Sequence, residues 1–398
     1  MKTRLPILFL LITVALDSIG IGIIMPVMPN LLLELGATDL SQAAIWGGAL
    51  AAVFSIMQFA FGPMVGNLSD RFGRRPILLA SLVVMSLDYL LMGFAGTVWI
   101  LVIGRVIGGL TAATHPAANA YIADISRPED KAQNFGLIGA AFGVGFILGP
   151  VIGGVLGEYG PRVPFFVAAA IAGGNALFGF IVLKETITDA TRRPFEWRRA
   201  NPIGAFRHIG RLPGQTRLLL VIFAYNIAFF VYPGVWAYYT QEKFGWDSAT
   251  VGLSLMVFGL SMIISQGVLI RFVIRSVGEQ RTVILGMVIN ILALCAYAVA
   301  SEGWQIFALT PLAALAILSG PALQGIMSRA AADNQQGELQ GLLASINAVA
   351  LIISPIMMTA TFAYFAAKDA PVYFPGAPFL LSAVLIATAL LIFAGRQR

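Results

Sequence analysis

The stretch LLITVALDSIGIGIIMPVMPN, Leu10–Asn30, is a run suited to hydrocarbon that is long enough to cross a bilayer and carries one carboxylate, Asp17. A membrane helix needs about 20 mainly apolar residues, and runs of that length recur along the whole chain. Continuous apolar character at this length predicts helices, because barrel strands would alternate over about ten residues. The spans fall at 6–28, 43–65, 77–96, 98–120, 134–157, 162–183, 216–238, 249–270, 281–301, 304–326, 338–362 and 373–394. The expected fold class is therefore an all-α integral membrane protein with twelve transmembrane helices.

Composition excludes an ordinary soluble protein. The chain is 58% hydrophobic and 11% charged, where soluble domains are about 45–50% apolar and about 25% charged. The opening MKTRLPILFLLITVA has the basic-then-apolar form of a signal peptide, but the apolar run continues to about Met28 without a small-residue cleavage site, so it reads as the first membrane helix. Cys295 is the one cysteine, so no disulfide can form within the chain.

The net charge of +6 is explained by topology. Of the 25 Lys and Arg residues, all but Arg105, Arg162, Lys243 and Lys368 fall at the ends and loops of one side. By the positive-inside rule that side, with both termini, is cytoplasmic. The basic excess is not a nucleic-acid patch.

A shift of 205 positions superposes Gly47 on Gly252, Gly62 on Gly267, Gly73 on Gly278, Trp99 on Trp304, Pro116 on Pro321, Gly136 on Gly341 and Pro150 on Pro355. Two prolines and a tryptophan in one ungapped register mark a duplication. The chain divides into a six-helix half at 1–183, a polar Arg- and Pro-rich cytoplasmic linker at 184–215, and a second six-helix half at 216–398. Pseudo-symmetric six-helix halves with a site between them near the midplane are the architecture of major facilitator transporters.

Charge deep in a membrane costs at least about 2.5–3.5 kcal/mol and persists where it faces a partner or a watery cavity. Three such residues are Asp17, Asp88 and Arg105, all in the first half. A structural ion pair is the plainer reading. Two acids against one base leave an acid able to hold or release a proton, which suggests proton coupling. Arg105 shares a helix face with Gly108, Gly109, Ala112, His115 and Asn119, read as lining a cavity. In GVGFILGPVIGGVLG, Gly145, Gly149, Gly153 and Gly157 recur every four residues, so bare backbone faces a neighbouring helix, and Pro150 adds a kink. The loop GNLSDRFGRRP, from Gly66 to Pro76, sets an acid beside three arginines, a breakable lock for alternating access.

These stretches resemble the major facilitator superfamily. GNLSDRFGRRP is similar to its loop signature, which implies gating roles for Gly66, Asp70, Arg71, Gly73, Arg74 and Arg75. Gly104–Arg105 resembles its fourth-helix motif. GVGFILGPVIGG resembles its fifth-helix antiporter motif, on Gly145, Gly149, Pro150, Gly153 and Gly154. Nearly end to end, the chain resembles the tetracycline efflux proteins, through LDSIGIGIIMPVMP, SDRFGRRPILLASL, SLDYL, YIADI, ILGPVIGG, FGWDSATVGLSL, SEGW, PALQGIMS and QQGELQGLLAS. The resemblance implies a drug/proton antiporter of the bacterial inner membrane that exports a metal-chelated tetracycline. Asp17, Asp88 and Arg105 match the essential charges of that family, and Gln266 a polar eighth-helix residue. The chain departs from it at Asn290 and Met262, where the family has an aspartate and a histidine, and in AATHPAANA, where it has smaller residues. The resemblance supports the scaffold more than the substrate.

The expected function is proton-coupled efflux of an amphipathic or aromatic small molecule. Its cavity would use His115, Asn119, Tyr225, Asn226, Tyr232, Trp236, Gln266, Asn290 and Gln324, since such sites join aromatic walls to few polar anchors. The alternative within transport is an endogenous metabolite or lipid-like amphiphile moved with weak or no proton coupling. A membrane-embedded enzyme or sensor is the reading from another class: against the enzyme, there is no paired catalytic set or metal-ligand spacing, with two histidines in all and His208 in the linker; against the sensor, no soluble signalling domain is appended. The expected partners are substrate, protons and lipid, with no cofactor, no metal of the protein's own and a monomeric state.

Overall fold

The computed structural model describes residues 4–112, 114–127, 130–189, 192–197, 201, 202, 204, 215–331 and 335–395, and only the backbone of 4, 5, 114–116 and 132. The regular structure among the described residues is helical: α1 (Arg4–Ile24), α2 (Met28–Glu34), α3 (Leu40–Phe72), α4 (Arg74–Gly93), α5 (Val98–Thr111), α6 (Thr114–Ile125), α7 (Lys131–Gly157) and α8 (Val163–Val182), then α9 (Thr216–Phe229), α10 (Val231–Phe244), α11 (Ser248–Ile264), α12 (Ile270–Val277), α13 (Glu279–Val299), α14 (Gly303–Leu315), α15 (Ser319–Ala330), α16 (Gln336–Ala366) and α17 (Ala377–Ala394). A π-helical turn, Ser265–Leu269, joins α11 to α12, and a 3-10 turn, Ala316–Leu318, joins α14 to α15.

Eleven helical stretches among the described residues are long and apolar enough to cross a membrane. The twelfth expected span, 98–120, is divided between α5 and α6. Ala112, with ψ 55°, leaves the helix. Pro116 then falls in the first turn of α6, where a missing N–H removes no helical bond. The first span also ends earlier than expected: α1 stops at Ile24, and the MPVMP stretch turns before opening α2, with Pro29 in the first turn of that helix.

The 205-residue register recurs in the helix boundaries. α12 ends at Val277 as α3 ends at Phe72, and α13 and α4 both start directly after a glycine. α15 covers Ser319–Ala330, the shifted image of α6 at Thr114–Ile125, and the 3-10 turn matches the break before α6. Duplication has preserved the breaks as well as the spans.

Packing divides the chain into two compact units: residues 1–36 with 53–202, and residues 37–52 with 203–398. In the first, Phe9, Leu10 and Val14 of α1 meet Leu78 and Leu82 of α4 and Ala117, Ala118 and Tyr121 of α6 in a closed core. The Tyr121 hydroxyl donates to Lys184 O at 2.6 Å, and the Thr13 hydroxyl of α1 donates to Asn175 Oδ1 of α8 at 3.2 Å. In the second unit the early part of α3 packs closely through glycine: a Cβ on Gly48 would come within 3.0 Å of Pro355 O on α16, and Gly47 faces the Tyr238 ring of α10.

Candidate functional site

In the first unit, α4 carries Asp88 against the glycines of α5. Asp88 is 5% exposed, and its Oδ1 has no hydrogen-bond partner. A Cβ on Gly104 would lie 2.6 Å from that Oδ1, and one on Gly108 would lie 2.7 Å from Oδ2. Two glycines one turn apart thus leave the carboxyl its room. Arg105, between them in sequence, holds its guanidinium over the Phe54 ring, 5.8 Å from the centroid. No ion pair within 4.0 Å joins Arg105 to Asp17 or Asp88 among the described residues. Asp17 is half-buried on α1, three residues before Gly20, whose Cβ position meets the Tyr89 hydroxyl. The structural ion pair weighed as the plainer sequence reading is not formed. Gly109 serves close approach, since a Cβ there would lie 2.6 Å from Phe54 O. Asn119 is half-buried on α6, and the side chain of His115 lies outside the described residues.

The loop between α3 and α4 is an ionic network rather than a solvated turn. Gly73 takes φ 113°, a left-handed region that favours glycine. Arg74 Nη1 meets Asp70 Oδ1 at 2.5 Å, and its Nε donates to Asp124 Oδ2 of α6 at 3.2 Å. Asp124 also accepts from the Thr186 hydroxyl at 3.0 Å. Glu185, just past α8, supplies the missing acceptor for the first turn of α4: its Oε1 accepts from Arg74 N at 2.9 Å and its Oε2 from Arg75 N at 3.2 Å. Arg75 lies over the Phe180 ring and donates to Phe180 O, whereas Arg71 is exposed over Phe72. The early linker lies on the same loop, with Asn67 Nδ2 donating to Glu196 O at 2.7 Å and Arg193 N to Asp70 O at 3.3 Å. Gly66 has open space around it.

The glycine stripe of α7 is packed backbone to backbone on α1. A Cβ on Gly149 would lie 2.7 Å from Ile19 O and 2.9 Å from Gly22 Cα, and one on Gly145 or Gly153 would collide with Ala15 O or Ile23 O. Pro150 Cδ closes on Gly22 from the same side, and Gly154 is buried. In membranes such close approach is what lets two helices gain dispersion contact.

In the second unit, Tyr232 and Trp236 of α10 are 8% and 4% exposed and pack with Phe258, Tyr297 and Phe379 in a buried aromatic cluster. Trp236 Nε1 donates to Ser254 Oγ at 2.9 Å, so this indole is a core group and not an interfacial anchor. Tyr225 stacks on Phe229 and lies 3.7 Å from the Cβ position of Gly320. Asn290 is 4% exposed on α13, one turn after Gly286, which closes on Ser319 of α15. Asn226 is half-buried, Gln324 is exposed, and Gln266 is exposed within the π-helical turn. π-turns inside helices mark functional positions often enough to single out Gln266.

Sequence reading missed Asp124 and Glu185. Asp124 carries a signal, an acid in YIADI where Arg74 needs a second partner. Glu185 carries only its place immediately after an apolar span.

The Major Facilitator Superfamily model matches residues 10–355 and 218–396. The class C tetracycline resistance protein of Escherichia coli is 39% identical over 363 residues, 91% of each chain. The class H tetracycline resistance protein of Pasteurella multocida is 34% identical over 396 residues, 98% of this chain and 96% of the relative. Among solved structures, a bacterial homologue of the human lysosomal transporter Spinster, inward-facing and unoccupied, superposes with a TM-score of 0.79 at 16% identity, covering 98% of this chain and 96% of that one. The human organic anion transporter MFSD10 (TETRAN) superposes with a TM-score of 0.71 at 23% identity, covering 99% of this chain and all of that one.

Proposed function

The chain belongs to the major facilitator superfamily, and on that premise we propose that it is a secondary active transporter, an antiporter that exports an amphipathic or aromatic small molecule of the tetracycline kind in exchange for protons. The observation that carries proton exchange is Asp88: a carboxyl buried in a membrane helix, with one oxygen lacking any hydrogen bond and the nearby arginine turned onto a phenyl ring. A buried charge without a partner is costly, and a carboxyl bonded to no cation gives up no ion pair when it takes a proton. Asp17, half-buried on α1, is the second proton-carrying group, and Arg105 sets the field at Asp88.

Each half offers the substrate its own polar and aromatic groups: Tyr225, Asn226, Gln266, Asn290 and Gln324 in the second, and Asn119, with His115 as read from the sequence, in the first. The Asp70–Arg74–Asp124 network gates the cytoplasmic ends of α3, α4 and α6. No covalent bond is made or broken, no cofactor is needed, and the proton gradient is the driving force, with the cargo able to arrive as a metal chelate. The protein acts as a monomer in a bacterial inner membrane, with both termini and the 184–215 linker in the cytoplasm.

The test is transport by the purified protein in proteoliposomes with an imposed pH gradient. Accumulation of magnesium–tetracycline or of a fluorescent amphiphile above its equilibrium level, collapsing when the gradient is dissipated, is the expected result. Uptake indifferent to the gradient overturns antiport and leaves a facilitator.

A further inference from the structure

The duplication that sets the helix boundaries also reproduces the gating junction, with its charges reversed. Gly73 and Gly278 correspond under the 205-residue shift, and both have positive φ, 113° and 80°. Gly73 N donates to Ser69 O at 3.1 Å and Gly278 N to Ile274 O at 2.9 Å, so the two loops close in one way. The next residue opens a helix in each half: Arg74 in the first, Glu279 in the second. Asp124, one residue before the end of α6, maps onto Arg329, one residue before the end of α15. In the first half Arg74 binds Asp124, and in the second Arg329 binds Glu279. The pair is retained and its polarity is inverted.

Polarity matters because a helix is positive at its N-terminus and negative at its C-terminus. Arg74 at the start of α4 and Asp124 at the end of α6 each oppose the end they occupy. Glu279 at the start of α13 and Arg329 at the end of α15 each suit theirs. The first half offsets its mismatch with Glu185, whose carboxylate binds the first amides of α4 and fills the space beside Gly73. Among the described residues nothing lies within 4 Å of a Cβ on Gly278, and the glycine borders an open cleft of about 580 Å³ lined by Glu279, Gln280, Arg281 and Arg329. Among the described residues Arg275, the counterpart of Asp70, makes no ion pair within 4.0 Å of Glu279, and Arg329 is the cation that pairs with that acid.

We propose that Glu279 and Arg329 are a positioning pair for transport: a clasp of inverted charge that keeps the starting turn of α13 on the last turn of α15, while the dipole-opposed Arg74–Asp124 pair is the one that opens. The assignment rests on the transporter reading above. The second pair keeps two helix ends moving together and the first lets them separate, so the two junctions are not interchangeable gates.

Two measurements test it on the full-length protein in proteoliposomes. Hydrogen–deuterium exchange needs no substrate: Glu279→Gln and Arg329→Gln should each speed amide exchange at 279–282 and 326–331 about two- to fivefold, with exchange around 74–77 unchanged, whereas Arg275→Ala should change neither. In gradient-driven transport of a neutral fluorescent amphiphile, both variants should lose at least fivefold in maximal rate at unchanged KM. The swapped double variant, Glu279→Arg with Arg329→Glu, should regain at least half of wild-type rate, since it restores the pair but not its agreement with the helix ends. Exchange unaltered in the Gln variants overturns the clasp, whatever the transport result. Faster exchange with wild-type transport, or no recovery in a folded swap, reduces the pair to a structural contact and overturns its positioning role. If wild type itself moves no probe, the functional reading fails, and the exchange arm alone judges the clasp.

Discussion

Asp88 and Gly104 are fitted to one another: a Cβ added to the glycine would stand 2.6 Å from Asp88 Oδ1, inside any normal contact. The glycine on α5 therefore sets where the acid on α4 can sit. Gly104→Ala should displace the carboxyl, and Gly108→Ala, against Oδ2, should do the same. Gradient-driven accumulation is expected to fall at least fivefold in each, with substrate exchange at equal pH less affected. Full accumulation in Gly104→Ala shows that the placement of Asp88 is not part of coupling.

The ionic network between α3 and α4 extends past its own loop to Asp124 of α6. Because Arg74 is shared by Asp70 and Asp124, removing either acid weakens the same junction. Asp70→Asn and Asp124→Asn should both lower the transport rate sharply while substrate binding persists, as expected of groups that bias a conformational equilibrium. Rates and binding constants measured side by side decide this, and a lost binding constant in Asp124→Asn places that residue in the binding machinery instead.

Gly149 lies in the middle of the glycine stripe that packs α7 on α1. Overfilling a packed site costs about 1–3 kcal/mol even where neighbours can shift, and here the neighbours are backbone atoms, Ile19 O and Gly22 Cα. Gly149→Leu should abolish transport and lower thermal stability. Leu148→Ala, at a side chain 43% exposed off that face, should do neither. Normal transport in the leucine variant would sink the packed-face account.

Much of this architecture is legible in the sequence because membrane insertion enforces it. Each span must be apolar for about 20 residues, and the ungapped 205-residue register fixes the duplication without coordinates. The glycine stripe is equally readable, since residues four apart must share a face. The interruptions are not: nothing in the hydropathy of 98–120 reveals that Ala112 leaves the helix, because the residues on both sides remain apolar. Trp236 was legible as aromatic and near a helix end, but its burial depends on Ser254 and Tyr297, which lie far along the chain. Glu185 was hidden for a similar reason. Its role comes from its distance to the amides of Arg74 and Arg75, 110 residues away, and not from any local pattern.

Asn290 bears on the cargo. It is buried on α13 and neutral, and an amide cannot carry a charge or a proton. A cationic metal chelate therefore finds no anionic anchor there, and an attraction of even about 1 kcal/mol is about fivefold in affinity. Wild type should export magnesium–tetracycline weakly and accept neutral or anionic amphiphiles. Asn290→Asp should raise magnesium–tetracycline export severalfold. Resistance measured in cells carrying each form checks this, and strong magnesium-dependent export by the wild type would contradict it.

The carboxylate that interrupts the opening stretch is the last test. Asp17 has no ion pair or hydrogen bond among the described residues, and neither does the buried Oδ1 of Asp88, so neither acid is held in place as half of a structural pair. Removing the charge should then cost the fold little, in contrast to breaking a buried pair, which strands its partner. What it should cost is coupling. Asp17→Asn and Asp88→Asn keep the shape of the side chain and remove the exchangeable proton. Each should abolish accumulation driven by a pH gradient, while exchange of labelled for unlabelled substrate at equal pH survives in at least one of them. Arg105→Ala should impair both activities, because it removes the cation near Asp88 and the group that packs on Phe54. The double variant, Asp17→Asn with Asp88→Asn, is the sharpest form of the experiment. If it still concentrates substrate against a gradient, the acids are passengers and the protons cross elsewhere.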